Sequence, residues 1–465
     1  MFPDPDKLQE YSPAEVLDAA ARGHLGLDHR FLHALIDRPE QTLSALLKFA
    51  VRDYRNDTVD LSEDVIALIR LWRAPEGIPF LIAYLREDPE NISDEAIETL
   101  VEIGQPALDP LLALYEELDE SQSGEIAFIL ASLRIRDERI LKILLDRLEY
   151  DLLDTLLLLE IYGDPAARPA IEQLAAGLSA DEAKLKQAID EALKALEAGA
   201  SQTKEEAEPF DIWPLYPERA ELPVELLDED ERLDLLNHPV AGLRASAASS
   251  FFNREISPEQ RKKLLAVAKG DESPEVRARA WEALATSVEE TEVVSAMLER
   301  LRNPDTPITE RGGLVVGLAF EADRNEVRNA IAELYGDNEG RAKALEAMWR
   351  STHPSFRNYF SKHLDDADLE VRRAAIWGVG YYGIRSDLER LRKLLEDEEL
   401  RTDALFAYTL ALPGETSRGR VKGLLARVER DAHGLSEIEE ELVKAALDER
   451  LMLAGKEPVF REQED

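Results

Sequence analysis

Cysteine is absent from all 465 residues. That excludes disulfides, thiolate nucleophiles and cysteine-ligated metals together. Basic residues are scarce beside acidic ones: 56 Lys and Arg face 96 Asp and Glu, a formal net charge of −40. Such a field repels phosphate backbones and anionic membranes, so neither nucleic acid nor a membrane is an expected partner. No apolar run approaches the ~18 residues a membrane helix needs. The opening MFPDPDKLQE is acidic and has no apolar stretch, which predicts no secretory signal and a cytoplasmic location. Alternating β-branched runs bounded by turns are missing, so no sheet is expected. Also missing are a G-x-S-x-G elbow, a Walker loop, a kinase signature and a D-x-D-x-D-G calcium loop. No catalytic residue, cofactor or metal site is predicted. What is present is apolar content of 45%, enough for a folded chain.

The apolar residues recur. An apolar residue, then Arg, a small residue three further on and an apolar residue four beyond that appear as Leu243-Arg244, Ala247, Phe251. The pattern returns as Val276-Arg277, Ala280, Leu284 and as Val371-Arg372, Ala375, Val379. Looser copies follow Gly340-Arg341 and Leu400-Arg401, and at Glu310-Arg311 the small position holds Leu314. The arginines Arg244, Arg277, Arg311, Arg341, Arg372 and Arg401 are therefore 33, 34, 30, 31 and 29 residues apart. A period of about 30 means one helical hairpin per repeat. In SPEQRKKLLAVAKGDESPEVRARAWEALATS, Ser257, Pro258 and Gln260 start the first helix and Gly270 ends it. Ser273 and Pro274 start the second, which buries Val276, Ala280, Ala283 and Leu284. The small fourth position lets neighbouring helices approach. Positions locked to the period serve the repeat, so the arginines are expected to bond turn carboxylates or helix ends. The N-terminal half repeats more loosely, with breaks at Ala74 to Gly77, Gly104 to Pro106 and Gly163 to Pro165.

The stretches PEVRARAWEAL, LEVRRAAIWGV and DEAIETLVEIGQPAL resemble HEAT repeats, including the HEAT-like repeats of phycobilisome lyases. The resemblance covers residues 60–195 and 228–430. It implies that the Val-Arg helix is the second of each pair, with an Asp six residues earlier in the preceding turn. Asp271, Asp305 and Asp366 stand so before Arg277, Arg311 and Arg372; the copies at Arg244, Arg341 and Arg401 lack that Asp. The family contains scaffolds, adaptors, lyases and nucleic-acid enzymes. Its iron-binding hydroxylase would require several His-Glu dipeptides, and this chain has none.

Three local motifs read as structure. GVGYYG, from Gly378 to Gly383, matches a dinucleotide fingerprint, but a repeat helix precedes it where a strand is needed. HRFLH sets His29 and His33 at zinc-binding spacing, with Asp37 as a conceivable third ligand. Arg30 stands where a metalloprotease has its Glu, and packed or surface histidines are expected. The acid runs at 228–231 and 396–399 fall near helix starts, where carboxylates suit the macrodipole.

The expected fold is all-α: an α-solenoid of about twelve to fourteen HEAT-like hairpins or part-hairpins. Residues 1–58 form a helical N-terminal cap opened by Ser12-Pro13-Ala14-Glu15, residues 59–197 the first array and residues 224–430 the second. Residues 431–465 form a capping helix and tail. Between the arrays, residues 198–223 are a connector ending in EPFDIWPLYPERAELP, whose four prolines forbid a continuous helix. A plain linker does not need Phe210, Trp213 and Tyr216. They cover the open end of an array or serve as a recognition motif for a partner. The resemblance implies protein binding on the concave face of second helices. The expected function is a non-catalytic scaffold or adaptor for a protein with a basic surface. The alternatives are a lyase-like enzyme or accessory holding a small ligand in the groove, and a nucleic-acid binder, which the charge opposes.

Overall fold

The computed structural model describes residues 2–50, 57–177, 183–198, 209–414 and 417–460. Among these residues every regular element is a helix and there is no strand. The chain divides into two compact units, Met1–Leu226 and Leu227–Asp465. No helix among the described residues is long and apolar enough to cross a membrane.

The first unit contains α1 (Pro13–Ala21), α2 (His29–Ile36), α3 (Pro39–Ala50), α4 (Ser62–Trp72), α5 (Ile78–Glu87) and α6 (Asp94–Ile103). It continues with α7 (Leu108–Glu117), α8 (Gly124–Ser132), α9 (Glu138–Arg147), α10 (Leu152–Tyr162), α11 (Arg168–Gly177) and α12 (Ala183–Ala198). Helices α4, α6, α8, α10 and α12 pack side by side in that order, while α5 packs on α7. Local chemistry sets the boundaries. Ser12 and Glu15 close a capping box, and Ser93 accepts a hydrogen bond from Ala96 N. At each predicted break a single 3-10 turn carries a proline in its first positions, where the missing N–H costs nothing: Pro75, Pro106 and Pro165.

The second unit contains α13 (Glu229–Leu235), α14 (Ala241–Ser249), α15 (Pro258–Gly270), α16 (Pro274–Ala283), α17 (Thr291–Arg302), α18 (Ile308–Gly317) and α19 (Asn325–Tyr335). It continues with α20 (Arg341–Ser351), α21 (Leu369–Tyr381), α22 (Leu388–Leu394), α23 (Arg401–Ala411), α24 (Arg418–Asp431) and α25 (Glu437–Leu453). One row runs α14, α16, α18, α20, α21, α23, α25, each packed on the next. All of these but α25 carry one of the six arginines. Between α20 and α21 the partner helix is replaced by two 3-10 segments, Pro354–Tyr359 and Ser361–His363. The small-position residues Ala247, Ala280, Leu314, Ala344, Ala375 and Ala404 are all fully buried along this row. The acid run at 228–231 is a cap: Asp228 and Glu231 form a capping box on α13.

The three glycines of GVGYYG serve packing and helix termination. A Cβ on Gly378 would strike the ring of Phe360, and one on Gly380 would lie 2.7 Å from Ala407 Cα. Gly383 ends the helix at φ +54, a left-handed conformation natural to glycine.

Candidate functional site

The connector belongs to the first unit. Residues 199–208, its polar approach, lie outside the described residues. From Pro209 onward the chain packs on α2 and α4. The Asp28 carboxylate, the buried N-cap of α2, accepts hydrogen bonds from Ala220 N at 3.0 Å and from the Arg30 guanidinium at 2.6 and 2.9 Å. His29 N donates to Pro217 O at 3.0 Å. Tyr216 is buried, and its hydroxyl donates to Asp64 at 2.7 Å. Burial pushes the Asp64 carboxyl up despite that bond, and burial and the Asp64 charge push the Tyr216 phenol up. Phe210 lies under the Arg70 guanidinium at 4.3 Å. Trp213 stands against His29 and His33, with ring centroids at 5.0 and 4.6 Å. The i, i+4 histidine pair is thus the seat of an indole. Among the described residues no group of three or more His, Asp or Glu could hold a metal ion.

Trp213 is only half-buried, which sets the size of its effect. Trp213→Ala should lower stability by about 1–2 kcal/mol in denaturant unfolding, the scale of an aromatic pair with partial burial. A loss above about 3 kcal/mol would place the ring in the core instead.

In the second unit the six arginines do not repeat one geometry. Arg244 donates to the His238 and Pro239 carbonyls at 2.7 and 2.9 Å, and Arg277 to the Asp271 and Glu272 carbonyls at 2.6 and 3.1 Å. Arg401 bonds the Leu395 carbonyl, also six residues back, and Arg311 the Thr306 and Asn303 carbonyls. The acceptor in the preceding turn is therefore the backbone, where an Asp side chain was expected. The free side of the guanidinium reaches forward. Arg244 pairs with Asp271 at 2.8 Å, Arg277 with Glu310 at 2.8 Å and Arg401 with Glu439. Asp271 is not available to Arg277 because its carboxylate already caps Ser273 N at 2.8 Å and faces Arg244. Arg341 donates to the nearby Asn338 side chain at 2.7 Å and lies 5.9 Å from the Tyr335 ring. Arg372 Nε is buried without a hydrogen bond among the described residues, since Asp366 is engaged by His363 at 2.8 Å.

Glu310 is a fully enclosed charge. Its side chain has no solvent exposure and accepts from Arg300 at 2.6 and 2.7 Å, Arg277 at 2.9 Å and Trp281 Nε1 at 3.3 Å. Burial opposes ionisation, but the hydrogen bonds from Arg300, Arg277 and Trp281 overcome it and hold the carboxyl below its usual range.

A second chain of charges crosses the row. Arg279 pairs with Glu275 and Glu282, Lys343 with Glu282 at 2.8 Å and Glu346 at 2.9 Å, and Glu346 with Arg350 at 2.9 Å. Lys343 on α20 reaches Glu282 on α16 across the intervening α18. It can do so because Gly312 has no side chain there: a Cβ would sit 3.1 Å from Lys343 Cγ. Burial lowers the Lys343 ammonium, and the two carboxylates more than reverse it.

Arg350 leads into an aromatic stack. Its guanidinium lies 4.4 Å from the ring of Phe252 and 4.8 Å from that of Trp349. Trp349 stacks on Trp377 at 5.4 Å and on Tyr381 at 5.0 Å, and Trp377 meets Phe406 at 4.5 Å. These rings come from α20, α21 and α23, on the same row. Carboxylates border them: Asp403 accepts from Trp377 Nε1 at 2.7 Å, and Glu449 from the Tyr381 hydroxyl at 3.4 Å. Trp349, Trp377 and Tyr381 keep part of their surface in water. Three partly exposed rings backed by the buried Phe406 and edged by acids are suited to binding, since flat faces and carboxylates both attract cations. The arginine period lies on the same helices, but no spacing rule singled out these rings.

No family model matches the chain, and no curated protein matches it. A solved structure with some likeness is human deoxyhypusine hydroxylase in complex with glycerol. It is 16% identical, the match covers 69% of this chain and 98% of that one, and the TM-score is 0.21. A likeness of that size does not assign the chain to a family.

Proposed function

We propose that the protein is a non-catalytic binding scaffold, an α-solenoid of HEAT-like hairpins in two arrays, whose second unit receives a basic segment of a partner protein. The observation that supports this reading is the stack of Trp349, Trp377, Tyr381 and Phe406 beside Asp403 and Glu449. Trp, Tyr and Arg dominate the residues that carry interface energy. The net charge of −40 steers a basic partner and repels a polyanion.

A cationic peptide of arginine and glycine is a direct probe of this face. Its affinity should fall as salt shortens the Debye length, which is ~8 Å at physiological ionic strength. Trp377→Ala should weaken it about tenfold or more, because a cation–π partner and a flat contact are both lost. Calorimetric titration of parent and variant measures this. Any acidic protein attracts such a peptide, so the variant decides: equal affinity for Trp377→Ala would remove the stack from the site. Tight binding of duplex DNA at ~150 mM salt would overturn the partner class.

A further inference from the structure

A cleft of the second unit is lined by positive charge. Between the 3-10 segment Pro354–Tyr359 and the turn after α21 lies an open cleft of about 630 Å³. Arg357 and Arg385 line it, together with the polar side chains Asn358, Ser361 and Ser386. In a chain with 40 more acids than bases, neither arginine has a carboxylate partner among the described residues. Arg357 is held by backbone instead: its guanidinium donates to the Tyr382 carbonyl and, at 3.4 Å, to the Gly383 carbonyl. That fixes its position without cancelling its charge. Arg385 is exposed and forms no ion pair among the described residues. The left-handed turn at Gly383 brings it to the same cleft. Asp387, two residues beyond Arg385, is buried and already engaged by the Ser361 hydroxyl and by Arg390 at 3.2 Å.

We propose that this cleft binds a phosphate group carried on a larger molecule. The Arg385 guanidinium fork matches the geometry of phosphate oxygens, the N–H groups of Arg357 not given to the Tyr382 and Gly383 carbonyls add to it, and the Asn358 amide and Ser386 hydroxyl supply further donors. The cleft opens to solvent, which leaves space for the group to which the phosphate is attached. The overall field disfavours free anions, so the affinity rests on contact with these two arginines.

The test uses the full chain, titrated calorimetrically at neutral pH with inorganic phosphate and, separately, with an otherwise uncharged phosphoserine peptide. Saturable binding of the peptide is expected, tighter than that of inorganic phosphate. Arg385→Glu should abolish it and Arg385→Lys should retain part, with an unchanged melting temperature because the exposed Arg385 side chain makes no hydrogen bond or ion pair among the described residues. Arg357→Ala, which also frees two carbonyls, serves as the second variant. Binding of both probes with loss in Arg385→Glu supports a general phosphate site; binding of the peptide alone identifies a phosphorylated side chain as the source. No saturation by either probe up to about 10 mM, or equal binding by Arg385→Glu, overturns the proposal.

Discussion

Replacing Glu310 by alanine is expected to cost about 3–5 kcal/mol of unfolding free energy. The carboxylate is fully enclosed and receives four hydrogen bonds from Arg277, Arg300 and Trp281. Its removal leaves the Arg277 side chain, 12% exposed, beside an indole N–H with no acceptor. Arg300 is 31% exposed and can turn to water, so Arg277 and Trp281 carry most of the loss. The pH dependence has a definite sign. The folded carboxyl lies below its ordinary value of 4.5. Its contribution is thus complete above that pH and disappears as pH falls through the lower folded value. Glu310→Ala should be less stable than the parent at neutral pH, and the difference should shrink on acidification. Urea unfolding across the acid range measures both. A loss under about 1 kcal/mol at neutral pH would mean that the arginines are solvated without their carboxylate.

Gly313→Ala should destabilise by about 2–3 kcal/mol, although helix propensity alone favours alanine by about 1 kcal/mol. A Cβ at Gly313 would lie 2.3 Å from Ala278 O and 2.6 Å from Ala278 Cα. Those atoms are backbone of α16 and cannot rotate away, so α18 must move off its neighbour. Gly317, one turn on, meets the Trp281 carbonyl in the same way, at 2.4 Å. Gly423 in α24 is the control. A Cβ there meets nothing within 4 Å, so Gly423→Ala should gain about 1 kcal/mol. Opposite signs in thermal and denaturant unfolding are the expected result. A gain at both positions would show that α16 and α18 are not in backbone contact.

The all-helical class, the helix starts and the register of the second helices were legible in the residues. Ser12, Ser257 and Ser273 cap helices where the sequence puts them, and the small positions from Ala247 to Ala404 are buried. These features act within one or two helical turns, through a side-chain oxygen, a missing proline N–H or a 3.6-residue period. The partners were not legible. Arg277 meets Glu310 across 33 positions, and Asp28 meets Ala220 across 192. The Asp expected to face Arg277 caps its own turn instead, because a local N–H is nearer.

The aromatic stack shows the same division. Each of Trp349, Trp377, Tyr381 and Phe406 occupies an ordinary position on its own helix, and only the packing of α20, α21 and α23 brings the rings together. Likewise, Gly312 and Gly313 look like weak points in α18 until Lys343 crosses one and Ala278 presses on the other. The sequence alone determined which residues turn into helix, where each helix begins and which side is apolar, since hydrogen bonds and periodicity operate at short range. The tertiary structure decided which charges pair, where the connector lies and which rings form a face, since those depend on how close distant helices can come.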